Sequence, residues 1–277
     1  YRGRASRAEC SKGFAMGVTV AEIKKRLATA DAEELAVLER ALVADERKGV
    51  RSALDVARRR LAAEAAEEAR LESMYSFERS LCGDNPAAVV VGLDEVGRGP
   101  LAGPLAVGAV VLPTDPKIVG LNDSKQVKPA DRERIAAQVK QVALAWDVHY
   151  IEPGYIDEHG MTASLRLAFS RAVAAVERAG VRPDVVLLDG NPLHFDEREV
   201  NVVKGDGKCA SIAAASIVAK VERDALMCRF AERYPEYHFD ENKGYASQVH
   251  IDAIKRVGLS PIHRKSFCTA FTQETLF

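Results

Sequence analysis

Asp94 and Glu95 stand side by side at the end of the β-branched run Val89-Val90-Val91-Gly92-Leu93, and the glycine turn Gly97-Arg98-Gly99-Pro100 follows almost at once. Adjacent carboxylates at the end of a buried strand repel each other in a low-dielectric setting, so a cation or a proton must sit between them. Gly97 and Gly99 let main-chain N–H groups come close to a ligand, and the Arg98 guanidinium can fork onto a phosphate. Taken alone, the same residues also describe a strand running into a surface turn with solvated acids. The pattern recurs, however: Val185-Val186-Leu187-Leu188 ends in Asp189, and the stretch Glu199 to Lys204 runs into Gly205-Asp206-Gly207-Lys208. All-oxygen acidic donors suit Mg²⁺ or Mn²⁺ rather than zinc. Four acids beside Arg98, Lys125, Lys204, Lys208 and Lys243 describe a two-metal phosphoryl-transfer site.

Strand ends along one edge of an open mixed sheet form the crevice in which ligands bind, so the acids need several strands to deliver them. The hydrophobic pattern supplies these as Val89–Asp94, Leu105–Leu112, Ala143–Ile151, Val185–Asp189 and Glu199–Lys204, with helices at 129–142, 162–179, 211–220 and 247–257. The helix over Ser211–Lys220 is built of small residues, which allow close approach to the sheet or to a substrate backbone. Asp94 and Glu95 pose a geometric difficulty, because consecutive side chains in a strand point to opposite faces. Both face one ion only if the strand ends or bulges between them.

The chain has 277 residues, is 47% hydrophobic and 29% charged, and carries a net charge of −1. There is no global basic field of the kind many nucleic-acid binders show, so a polyanion would be held by local lysines and arginines or through metal. No apolar run approaches the roughly 20 residues of a membrane-spanning helix. Five scattered cysteines without a C-x-x-C pair argue for reduced thiols in a cytosol and against a disulfide framework or zinc knuckle. Residues 1–15 are irregular and precede a plausible natural start at Met16, so they read as a cloning or reading-frame remnant. From 16 to 82 an Ala-Glu-Arg-Leu composition, with Leu35, Leu38 and Leu42 and then Val50, Leu54, Ala57, Leu61 and Ala65 at helical spacing, predicts a helical extension. It reads either as a hairpin that packs on a partner surface or as a solvated spacer. The turn residues Cys82-Gly83-Asp84-Asn85-Pro86 mark its end, and residues 87–267 form the main domain, followed by a tail over 268–277.

With these residues in view, the sequence resembles the type 2 ribonuclease H family, bacterial ribonuclease HII. The resemblance is carried by Asp94-Glu95-Val96-Gly97-Arg98-Gly99-Pro100-Leu101-Ala102-Gly103-Pro104, Asn122-Asp123-Ser124-Lys125, Leu188-Asp189-Gly190-Asn191, Lys204-Gly205-Asp206, the Ser211–Lys220 helix running into Val221-Glu222-Arg223-Asp224, Lys243-Gly244-Tyr245 and His263-Arg264-Lys265-Ser266-Phe267. It implies an α/β fold, a ribonuclease H-like mixed five-stranded sheet flanked by helices, with a helical N-terminal extension and a C-terminal helical segment. By resemblance Asp94, Glu95, Asp189 and Asp206 are the metal-binding catalytic acids, served by Mg²⁺ or Mn²⁺. Gly97, Arg98, Gly99 and Tyr245, with Lys125 nearby, bind a substrate whose 2′-hydroxyl distinguishes RNA from DNA. The implied reaction is hydrolysis of RNA paired with DNA and nicking 5′ to single ribonucleotides in duplex DNA. The related type 3 enzymes typically carry lysine at the Arg98 position and a β-rich N-terminal domain, so a helical extension favours type 2. A non-catalytic binding module on the same fold is the alternative, disfavoured because clustered acids without metal repel a polyanion. Gln273, Leu276 and Phe277 resemble the Gln-x-x-Leu-Phe peptides that dock on the bacterial sliding clamp. Nothing in the sequence requires a dimer.

Overall fold

The computed structural model describes residues 18–85 and 87–272; the 1–15 segment and the Gln273, Leu276 and Phe277 peptide lie outside the described residues. The chain divides into two compact units, Tyr1–Arg70 and Leu71–Phe277. The first unit contains α1 (Val20–Thr29), α2 (Ala32–Ala41) and the opening turns of α3 (Lys48–Ser80). Thr19 opens α1 with a reciprocal capping box, its hydroxyl accepting from the Glu22 N–H while the Glu22 carboxylate accepts from the Thr19 N–H. Asp31 caps α2 by accepting from the Glu34 N–H at 2.8 Å. Ile23, Leu27, Leu35, Leu38, Leu42, Val50, Leu54 and Ala57 form one buried cluster. The extension is therefore three helices around their own core rather than a two-helix hairpin. The Ile23–Leu27 pair of the first helix completes the stripe that periodicity marked only from Leu35 onward. Ala65, expected on that stripe, is exposed.

In the second unit five strands, β1 (Val90–Val96), β2 (Leu105–Val111), β3 (Ala145–Ile151), β4 (Val185–Asp189) and β5 (Glu199–Val202), form one sheet in the order β3-β2-β1-β4-β5. The first three pair antiparallel, while β1, β4 and β5 run parallel. The sheet is mixed and has five strands, as the family resemblance implies. α5 (Pro153–Arg178) covers one face, its Leu165, Ala168, Phe169, Ala172 and Val176 packing on Leu93, Val107 and Val186. It begins nine residues before the sequence pattern becomes helical and breaks at Gly160, which has φ of 76°.

The other face is covered by α4 (Pro129–Val142) and α6 (Ala210–Arg233). α6 extends well beyond the small-residue segment, and Ser211 to Ala219 are all buried, between the sheet on one side and the cluster of Leu71, Ile118 and Ile135 on the other. Two glycines set how close it comes. A Cβ on Gly92 of β1 would stand 2.2 Å from the Ser211 carbonyl carbon, and one on Gly108 of β2 would stand 2.4 Å from the Ala215 carbonyl oxygen. Only a residue without a side chain fits under the helix at either point.

The last turns of α3 belong by packing to this second unit, because Leu71, Met74 and Tyr75 are buried with Ile118, Leu121 and Ile135. Glu78 there is buried, and its Oε2 accepts from the N–H and the hydroxyl of Ser211 at 2.8 Å each, closing the first turn of α6. α7 (Phe239–Asn242), α8 (Gln248–Val257) and α9 (Lys265–Thr272) complete the C-terminal segment around Phe239, Ile254, Ile262 and Cys268. Among the described residues no helix is long and apolar enough to cross a membrane.

Candidate active site

β1 and β4 are parallel neighbours with Leu93 beside Leu188, so one further step of that register sets Asp94 beside Asp189 at the same sheet edge. Asp206 joins them from the short 3₁₀ turn Gly205–Gly207 that follows β5, the next strand over. Asp189 is fixed to that turn, its Oδ1 accepting from the Gly205 N–H at 2.7 Å. The parallel arrangement of β1, β4 and β5 is what gathers acids from three separate sequence segments.

No bulge separates Asp94 from Glu95. β1 stays paired with β2 through both, Asp94 opposite Gly108 and Glu95 opposite Val107, so the expected break in the strand is absent. Alternation sends Asp94 to the α6 face, where the nearby Ser216 hydroxyl favours its ionised form, and Glu95 to the other, where its Oε1 lies 3.1 Å from Arg98 Nη1. Asp189 couples the two, because its charge raises the pKa of both.

Asp94 is 8% exposed, and its carboxyl is held well above the ordinary range, first by burial and then by the charges of Glu95 and Asp189. Burial likewise raises Glu95, against the opposing pull of Arg98. Asp206 is raised by burial, by Asp123 and by Asp189, with Lys125 pulling it down. Such a group cannot ionise together without a positive partner. Among the described residues no three His, Cys, Asp or Glu side chains close on one point as a finished ligand shell. The donor set nonetheless fits a hard divalent cation, since it is made only of carboxylates and their mutual repulsion is what a cation relieves.

Beside the acids, the loop 97–104 rises from β1. Gly97 has φ of +90°, and a Cβ there would stand 2.3 Å from Arg223 Nε, so both conformation and space demand glycine. Arg98 and Gly99 are exposed at its tip. The Leu101 and Ala102 N–H groups donate to the Gly244 carbonyl, which ties the loop to the residue preceding Tyr245. The Tyr245 ring is 45% exposed, and its backbone is held by a buried histidine pair. His263 Nδ1 accepts from the Ser260 N–H at 2.9 Å, so its proton sits on Nε2 and is donated across 2.9 Å to His250 Nε2. His250 Nδ1–H then donates to the Tyr245 carbonyl at 2.8 Å. Burial pushes both imidazoles below their ordinary pKa, His263 to about 4 with His250 adding to the shift.

Lys125 is exposed near Asp206, where it lowers that acid's pKa. Lys208 and Lys243 have other partners: Lys208 Nζ donates to the Val203 carbonyl, and Lys243 Nζ to the Asp240 carbonyl, with Cys228 Sγ at 3.2 Å. Sequence reasoning missed three residues here. Asp123 adds a fifth carboxylate through its repulsion of Asp206, Ser216 supports Asp94, and Ser124 Oγ lies 3.0 Å from Ser216 Oγ. The signal for the first lay beside Lys125, in Asn122-Asp123-Ser124. A serine within an alanine-rich helix gives no such signal, because only the packing of α6 on β1 brings Ser216 to Asp94.

Comparison with known proteins gives concordant results. Residues 91–270 match the family model "Ribonuclease HII", and residues 19–82 match "Ribonuclease HII N-terminal domain". A ribonuclease HII of Staphylococcus carnosus is 42% identical over 223 residues, covering 80% of this chain and 84% of that protein. One of Listeria monocytogenes is 39% identical over 252 residues, covering 91% and 95%. The crystal structure of ribonuclease H2 from Pyrococcus horikoshii superposes with a TM-score of 0.57 at 27% identity, over 67% of this chain and all of that one. Two more distant structures share the fold. The PCNA:RNase HII complex from Archaeoglobus fulgidus has a TM-score of 0.57 at 24% identity over 68% and 98% of the chains. Bst-RNase HIII in complex with Mn²⁺ has 0.54 at 20% over 65% and 67%.

Proposed function

Because the chain belongs to the ribonuclease HII family and is thus a ribonuclease H endonuclease, we propose that it cuts the RNA strand of RNA–DNA hybrids and nicks duplex DNA on the 5′ side of embedded ribonucleotides, leaving 3′-hydroxyl and 5′-phosphate ends. The observation that carries this reading is the meeting of Asp94, Glu95, Asp189 and Asp206 at one sheet edge beside the Gly97–Gly99 loop. Asp94, Asp189 and Asp206 would hold Mg²⁺ or Mn²⁺, with Glu95 contributing its carboxylate from the other face of β1, and the cation when bound neutralises phosphate charge and favours ionisation of the attacking water.

The chain's own residues do the rest. Ser216 orients Asp94, and the Gly205 N–H orients Asp189. Lys125 offsets negative charge near Asp206 and, being exposed, meets the incoming phosphate. Gly97, Arg98 and Gly99 read the ribose at the RNA–DNA junction, and the exposed Tyr245 ring stacks on the neighbouring sugar or base. The N-terminal helical unit helps to grip the duplex. Gln273, Leu276 and Phe277 dock on a sliding clamp, a role that unchanged clamp affinity after removal of Leu276 and Phe277 would eliminate. The protein works in the cytoplasm as a monomer, in ribonucleotide excision and RNA primer removal.

The reading is tested by offering RNA–DNA hybrid, RNA duplex and DNA duplex with Mg²⁺, with Mn²⁺ and with chelator. Cleavage confined to the RNA strand of the hybrid, dependent on metal and lost in Asp206→Asn, is expected. Hybrid that is bound and never cut with either metal would leave the non-catalytic module as the better description.

A further inference from the structure

Two arginines, Arg223 on α6 and Arg264 just before α9, are fully buried, and all of their hydrogen bonds run to main-chain carbonyls. Arg223 donates to Ala102, Pro104 and Lys243. Arg264 reaches the start of the loop: Nη2 donates to Gly97 O at 2.6 Å and Gly103 O at 2.9 Å, Nη1 to Arg98 O at 2.8 Å, and Nε to Gly103 O at 3.1 Å. A buried cation is costly, and here its N–H groups are satisfied by carbonyl dipoles that must all face it, while the Arg264 guanidinium also lies over the Phe267 ring at 5.3 Å.

The orientation of those carbonyls fixes what the loop shows to the outside. In a trans peptide the C=O of one residue and the N–H of the next lie on opposite sides of a single plane. The only cis bond among the described residues is Asp115–Pro116. Turning Gly97 O and Arg98 O inward onto Arg264 therefore turns the N–H groups of Arg98 and Gly99 outward. Among the described residues these two have no acceptor within the protein, whereas the N–H groups of Leu101, Ala102 and Gly103 are bonded to Gly244 and Ile262. Two successive free N–H groups, next to the acid cluster, form a small concavity for an oxygen ligand.

We propose that Arg264 is a positioning residue for ribose recognition: it holds the Gly97 and Arg98 carbonyls inward so that the Arg98 and Gly99 N–H groups form a rigid pair of donors for the 2′-oxygen of the junction ribonucleotide. The inference rests on the reading of Gly97–Gly99 as the ribose reader and adds the group that sets its geometry. A lysine keeps the charge but cannot span three carbonyls, because it lacks the planar fork.

The test compares wild type with Arg264→Lys on a DNA duplex containing one ribonucleotide, using the all-DNA duplex as a competitive inhibitor under the same cleavage conditions. The ratio of the inhibitor's Ki to the substrate's KM measures discrimination for the 2′-oxygen. Arg264→Lys is expected to lower that ratio at least tenfold, with KM rising more than kcat falls. A variant that melts earlier yet keeps a ratio within twofold of wild type has lost only stability, and the proposal is overturned. Gly99→Pro provides a second variant should Arg264→Lys not fold, since it removes one outward N–H at a position with no atom within 4 Å of a Cβ. It too is expected to lose discrimination, and a wild-type ratio in folded Gly99→Pro overturns the proposal. A wild type without preference for the ribonucleotide overturns both this inference and the reading beneath it, whereas normal wild-type preference with unchanged variants overturns the inference alone.

Discussion

Gly92→Ala adds one methyl group beneath α6, and its consequences can be followed from the sheet to the acids. The new Cβ would stand 2.2 Å from the Ser211 carbonyl carbon and 2.3 Å from the Ile212 nitrogen. Ordinary contact needs about 3.5 Å, so strand and helix must part by roughly 1.3 Å. Backbone lies on both sides of the clash and no side-chain rotation relieves it, which puts the cost at the upper end of overpacking, about 3 kcal/mol. The same shift draws Ser216 away from Asp94. Loss of a hydrogen bond to a charged group, about 1.5–3 kcal/mol, lowers cleavage by roughly 10- to 100-fold where it acts on the reacting state. Urea unfolding reads the first effect and kcat at saturating duplex the second. Gly154→Ala, on α5 with nothing within 4 Å, serves as the comparison and should stay within about 0.5 kcal/mol of wild type. A Gly92→Ala protein as stable and active as wild type would refute the claim that close packing of α6 on β1 builds the site.

Glu78→Ala should destabilise the second unit by about 1–3 kcal/mol in the same unfolding assay, because the buried Ser211 N–H loses its acceptor; an unchanged midpoint would show that water replaces it. The His250–His263 pair makes stability depend on pH. The unfolded imidazole takes up a proton below about 6.5 and the folded His263 only near 4, so protons favour the unfolded chain in that window. Stability is complete above pH 6.5 and declines as pH falls towards 4, by up to about 3 kcal/mol, and His263→Gln should flatten the profile; parallel profiles would contradict the claim that burial holds His263 neutral. Deleting residues 18–70 leaves the Leu71–Tyr75 packing and Glu78 in place, and is expected to raise KM for duplex more than it lowers kcat. An equal KM would reduce the N-terminal unit to a spacer.

Much of the sheet was legible because its strands are apolar, β-branched runs closed by glycine or proline, and Asp94 and Asp189 stand out as the polar residues that end them. What remained hidden depends on contacts between distant segments. The relation of Asp94 to Glu95 could not be read from alternation alone, since Asp189 on a neighbouring strand couples them across an unbroken β1. Ser216 looks like helix filler until α6 is laid on the sheet. Arg223 and Arg264 stood in the sequence only as members of the motifs that carry the family resemblance, because nothing local announces a cation satisfied by carbonyls more than 100 residues away. In the N-terminal unit the Leu35 and Val50 stripes were visible, while the division within α3 follows from where Leu71 and Met74 are buried.

The most direct measurement is cleavage of an end-labelled DNA duplex carrying a single ribonucleotide, with Mg²⁺, with Mn²⁺ and with chelator, beside an Asp94→Asn protein shown to be folded. One metal-dependent nick on the 5′ side of the ribonucleotide, absent with chelator and in Asp94→Asn, is the predicted result. A nick elsewhere, or one that persists in Asp94→Asn, would contradict the assignment of the carboxylate edge as the catalytic centre.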